Sequence, residues 1–181
     1  MESISADEAL SWYPLVNPTV ELIRHNENRT YKVCSGREQY VLRIHQPAEG
    51  FSLDVFEVRG SKEPYIRSEM EILSQLSFLG TQTPVLNRVG NAVTIMDNGT
   101  PVTLLRWIQG ETVENKVQTP QLLTQIGRMT AALHQALRNL SVKPIPRYDY
   151  GQRLLLYIQK QIRAAAWTGV LNSQQERLIF K

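Results

Sequence analysis

With 181 residues, 42% of them hydrophobic and 20% charged, the chain is sized for one domain or two small lobes and composed like a folded protein, not a disordered or fibrous one. Its net charge of +3 comes from scattered Lys and Arg without the basic stripe that nucleic-acid binding needs, so no nucleic-acid partner is expected. One cysteine, Cys34, excludes an internal disulfide, the three histidines lie too far apart for a metal-spaced pair, and no apolar run approaches the ~20 residues of a membrane helix.

The start MESISADEAL is polar and acidic, unlike a signal peptide, so the expected setting is cytoplasmic, away from membranes. Residues 1–17 read as a short leading helix or arm that Ser5-Ala6-Asp7-Glu8 can cap, with Leu10, Trp12, Tyr13 and Leu15 as apolar anchors and Pro18 as its end. Residues 19–25 (TVELIRH) and 29–34 (RTYKVC) read as strands joined by the turn Asn26-Glu27-Asn28. Ser35-Gly36-Arg37 then turns the chain into a third strand, residues 39–45 (QYVLRIH), and short turns between sequential strands make an antiparallel meander.

Residues 46–65, with Pro47, Gly50, Gly60 and Pro64, read as a long linker. A helix is predicted over residues 66–79, with Ile66, Met70, Leu73, Leu76 and Leu79 at helical spacing and Gly80 as its stop. Strands follow at 92–96 (AVTIM) and 101–108 (PVTLLRWI), separated by the Asp97-Asn98-Gly99 turn. Composition then shifts to helices at 119–140, 151–167 and 172–180, with a proline-punctuated loop at 143–148. The predicted division is a sheet lobe over 1–110 and a helical segment over 111–181.

The third strand carries the main chemical signal. Period two puts Tyr40, Leu42 and Ile44 on one face and Val41, Arg43 and His45 on the other. Arg43 thus stands mid-strand among semi-apolar neighbours, and a buried cation needs an anion. Glu69, four residues before Leu73, shares the apolar stripe of its helix, whereas Glu71 is about 200° away and faces water. Glu69 is therefore the candidate partner of Arg43. His45 reads as a packing histidine.

The strings ENRTYKV, YVLRIHQP, IRSEMEIL, VTLLRWIQGET and IGRMTAALHQAL, in that order over residues 20–140, resemble the amino-terminal half of the aminoglycoside phosphotransferase family, with its choline-kinase-like and homoserine-kinase-like members. The resemblance implies an α+β, protein-kinase-like fold. An amino-terminal lobe of about five antiparallel strands with one inserted helix would precede helices of an incomplete carboxy-terminal lobe. It implies that Arg43 reaches the phosphates of ATP and that Glu69 orients it. Asn26–Asn28 would match the turn over the phosphates; lacking glycine, that turn leaves the side-chain amides of Asn26 or Asn28 to serve. The Arg106 carbonyl and the Ile108 amide would take the two hydrogen bonds of adenine, ATP lying between the sheet and the helical segment.

The family carries its catalytic Asp and metal ligands in a later H-G-D-x-x-x-x-N loop and a following Asp, and neither motif is found in this sequence. The resemblance therefore implies the front half of a small-molecule kinase whose full-length form uses ATP and Mg²⁺ and phosphorylates a hydroxyl acceptor. The chain alone is expected to be inactive. The apolar stripes of its later helices, partly uncovered, are expected to drive self-association. The rival reading is a non-catalytic kinase-like module kept for protein contact.

Overall fold

The computed structural model describes residues 4–50, 62–111, 113, 117–141, 150–169, 172 and 174. A five-residue helix, α1 (Ala6–Leu10), opens the chain, its N-terminus capped by Ser5 Oγ accepting the Glu8 N–H at 3.0 Å. Ala9, Leu10 and Tyr13 are buried, but Trp12 stays at the surface. Because α1 ends at Leu10, helical spacing no longer assigns the faces beyond it: Tyr13 turns fully inward and Leu15 packs part-buried against the same core.

The strands β1 (Thr19–His25), β2 (Arg29–Ser35), β3 (Glu38–Ile44), β4 (Thr94–Ile95) and β5 (Pro101–Arg106) form one antiparallel sheet in the order β1-β2-β3-β5-β4. The Ser35↔Glu38 pairing leaves a two-residue hairpin loop, and Gly36 supplies its positive φ of 61°. The predicted strand over 92–96 shrinks to two paired residues for a local reason. Val85 N–H donates to the Leu104 carbonyl and Arg106 N–H to the Thr83 carbonyl, both at 2.8 Å. That edge of β5 is taken, so β4 pairs only with Pro101 and Val102.

Period two holds on β3. Tyr40, Leu42 and Ile44 join Val33, Val102 and Leu104 in a core covered by Ile4, Leu10 and Tyr13. Val41 and Leu105 pack on the opposite face against Ile66 and Met70 of α2 (Glu63–Gln75), the helix inserted between β3 and β4. Each such aliphatic side chain contributes about 1.5–3 kcal/mol by leaving water. Helix α2 starts three residues earlier than the apolar spacing predicts, because Pro64 fits its first turn and does not prolong the linker. Its end tightens into a 3₁₀ turn over Ser77–Leu79 that stops at Gly80, whose φ is 73°.

Thr119 caps α3 (Pro120–Arg138), its Oγ1 accepting the Leu122 N–H at 3.2 Å. Unlike β3 and β5, α3 buries none of its residues. Its Ile126, Met129 and Leu133 line an apolar groove of about 340 Å³ with Leu79 and Thr81. The sheet, α2 and α3 belong to one compact unit, and α4 (Tyr150–Trp167) to a second. The helix expected over 172–180 falls almost wholly outside the described residues, as do the loop at 143–148 and most of the linker. Among the described residues, no helix is long and apolar enough to cross a membrane.

Candidate functional site

Arg43 lies on the α2 face of the sheet, opposite Thr30 on β2 and Thr103 on β5. Its Nη1 donates to Glu69 Oε1 at 3.1 Å, and its Nη2 to Gln82 Oε1 at 3.2 Å. Helix α2 supplies the carboxylate. The pairing of Thr83 and Val85 with β5 fixes the extended segment that supplies the amide. The pair is less buried than the pattern predicts: 26% of the Arg43 side chain and 44% of that of Glu69 remain exposed. Glu69 sits at the edge of the Ile66–Met70 stripe rather than within it, because that stripe is narrow. An ion pair this wet contributes only about 0–1 kcal/mol to folding. Its effect is to hold a guanidinium at one place and angle, with its remaining donors able to face an anion.

His45 follows on the same face, its Nε2 3.1 Å from Thr103 Oγ1. Burial, and then the charges of Arg43 and Lys62, lower its pKa to about 4, so the imidazole is neutral at pH 7. It acts as a packed hydrogen-bonding group rather than a third cation. Lys62, at the N-cap of α2, is itself pulled down by burial and pushed back up by Glu27 of the β1–β2 turn.

That turn holds its shape through backbone bonds: Asn26 N–H donates to the Asn28 carbonyl at 3.3 Å, and the Asn26 carbonyl accepts from Ala48 N–H at 2.7 Å. The second bond ties the turn to the chain leaving β3. It lies at the end of the sheet toward which Arg43 stands, since His25 pairs with Arg29 and Arg29 with Ile44.

At the other end of β3, Trp107 N–H donates to the Gln39 carbonyl at 3.0 Å, after which the chain leaves the ladder. Among the described residues, neither the Arg106 carbonyl nor the Ile108 amide makes a backbone hydrogen bond. The side chain of Arg106 turns away and pairs with Glu38 at 3.0 Å. Tyr40, the partner of Arg106, is three residues from Arg43, about 10 Å along the strand. The Arg106 carbonyl, at the end of β5, and the Arg43 guanidinium, on β3, thus lie about three residues apart along two neighbouring strands. The Lys32 ammonium stands 4.9 Å over the Trp107 ring, and Trp107 packs against the Val41–Leu105 cluster.

Gln82, Thr103 and Lys62 are not legible as site residues from the sequence. Thr103 had a faint signal, a lone hydroxyl inside an apolar strand. Gln82 had only the extended backbone that Pro84 imposes nearby. No group of His, Cys, Asp and Glu among the described residues could hold a metal ion, so these side chains do not fit Mg²⁺ without further ligands.

A five-stranded antiparallel sheet, an inserted helix whose carboxylate meets a mid-strand cation, and following helices define the kinase-like phosphotransferase class. The profile of the phosphotransferase enzyme family (APH) matches residues 19–180, and the chain belongs to that family. No curated protein matches the sequence. Among solved structures, a microcompartment-associated aminopropanol kinase is similar at 25% identity and TM-score 0.57, over 79% of this chain and 43% of its own. The amicoumacin kinase hAmiN, in complex with AMP-PNP, Ca²⁺ and Ami, is 21% identical with TM-score 0.64, over 91% of this chain and 52% of its own. The spectinomycin phosphotransferase APH(9)-Ia, in complex with ADP and spectinomycin, is 12% identical with TM-score 0.55, over 92% and 47%. The chain spans about half the length of these structures.

Proposed function

We propose that this chain is the nucleotide-binding part of an ATP-dependent small-molecule kinase that transfers the γ-phosphate to a hydroxyl acceptor. The observation that carries the reading is the Arg43 guanidinium held by Glu69 and Gln82 at 3.1 and 3.2 Å on a half-open sheet face. Too wet to matter much for folding, the pair makes sense as a preset phosphate contact. Arg43 contacts the α- and β-phosphates, Glu69 and Gln82 fix its orientation, and Asn26 and Asn28 cover the phosphates. The Arg106 carbonyl and Ile108 amide take the adenine edge. Two complexes of similar proteins with adenine nucleotides, AMP-PNP and ADP, support the choice of ATP. Mg²⁺ would neutralise phosphate charge in the full-length enzyme, held by ligands beyond these residues. The chain alone binds nucleotide weakly and transfers no phosphate.

Calorimetric titration with AMP-PNP tests this. Arg43→Ala should weaken binding by about tenfold or more, the worth of one charge-assisted hydrogen bond. Its unfolding free energy should move by less than about 1 kcal/mol. A wild-type chain that binds no nucleotide returns the protein-contact reading, and binding indifferent to Arg43→Ala removes the assigned role. Turnover in a coupled ADP-release assay would overturn the claim of inactivity.

A further inference from the structure

The strand β1 is exposed at all seven positions, and among the described residues nothing pairs with its outer edge. Alternate backbone N–H and C=O groups along that edge are open to another strand. The edge is also apolar: Val20, Leu22 and Ile23 are 39%, 54% and 48% exposed. A bulge and charged side chains ordinarily ward off edge pairing. In β1 they are arranged the other way. The register against β2 slips between Leu22 and Arg24, leaving Ile23 as the extra residue. Glu21 is opposite Lys32 and Arg24 opposite Thr30, two β2 positions of equal parity. The bulge thus brings Glu21 and Arg24, which a regular strand would place on opposite faces, onto the same face of the sheet.

We propose that β1 is a self-complementary interface on which a second copy of this chain adds its own β1 antiparallel, making one continuous sheet across a two-fold axis. Reversal of direction about the Leu22-Ile23 pair sets each Glu21 against the Arg24 of the other copy, and each Leu22 beside the other's Ile23. The same residues are used twice, as an isologous contact requires. Two opposite-charge pairs flank a four-residue apolar centre, and the edge groups find partners. An unrelated peptide would satisfy the backbone but not the charge pattern, so the arrangement favours a second copy. The backbone pairing is in the plane of the sheet, and the two charge pairs share the face of Arg43 two strands away, since Lys32 and Thr30 oppose Val41 and Arg43. It is independent of the nucleotide reading, and it is a different surface from the α3 and α4 stripes to which the sequence pattern assigns self-association.

Sedimentation velocity of the 181-residue chain over a wide concentration range tests it. The wild type should show a monomer–dimer equilibrium. Glu21→Arg and Arg24→Glu should each weaken it by about tenfold or more by setting like charges opposite, and the double reversal should restore dimerisation. Monomer at every concentration overturns the proposal. So does a dimer indifferent to the single reversals, which places the contact elsewhere, or a double reversal that stays monomeric. Hydrogen exchange on the wild type gives a reading free of mutants. Amides of β1 should gain protection as concentration rises, and unchanged β1 protection in a dimeric sample overturns the assignment.

Discussion

Strand β5 and helix α3 carry equally plain apolar patterns, and the molecule treats them differently. β5 buries five of its six residues, Pro101 to Leu105. α3 buries none of its nineteen, and Ile126, Met129 and Leu137 stay open although they share a helical stripe. β5 has β3 on one edge, residues 83–85 and β4 on the other, and a covered face above and below. Among the described residues, α3 has the groove beside Leu79 and Thr81. An amphipathic pattern states which face seeks cover; it does not supply the cover.

The same truncation at the two sites gives the largest contrast. Leu104→Ala should cost about 2–5 kcal/mol in urea unfolding, since Leu104 is fully buried. Leu137→Ala, on α3, should stay within about 0.5 kcal/mol. Equal losses would mean that α3 is covered in solution and would erase the comparison.

The next effect belongs to the sheet alone. His45 is depressed to about 4 in the folded chain against 6.5 when free. The unfolded chain therefore binds a proton that the folded one refuses, and stability falls as pH drops from 6.5 toward 4. The full loss is about 3 kcal/mol. Urea unfolding at stepped pH should show that slope in the wild type and a flatter one in His45→Gln. An equal slope in both would move the titration to another group.

The smallest effect belongs to the helix. Gly127 lies inside α3 in open space, with nothing within 4 Å of an added Cβ. Gly127→Ala should stabilise α3 by about 0.5–1 kcal/mol, read as greater helical ellipticity and a higher urea midpoint. A loss instead would show that something packs there.

Much of the site was legible because local rules and the family pattern agree on it. Alternation on β3 assigns Arg43 its face, and helical spacing separates Glu69 from Glu71. Their meeting at 3.1 Å follows once α2 covers that face. What spacing misjudged was depth: Glu69 is at the rim of the stripe, and 44% of its side chain is open. Gln82 escaped because its role depends on where residues 83–85 run. Backbone bonds to β5 set that path, and no periodicity announces it.

The β1-β2-β3 meander, the two turns that bound β2, the inserted helix and the facing of Arg43 were determined by the sequence by itself, since each rests on contacts between near neighbours or on a period of two or 3.6. Only the tertiary structure decided the shortness of β4, the second acceptor on Arg43, the neutrality of His45 and the common face of Glu21 and Arg24. Each of these depends on which distant segment occupies an edge or a face first. Competition for hydrogen bonds and for water-free space is a property of the assembled chain rather than of any stretch within it.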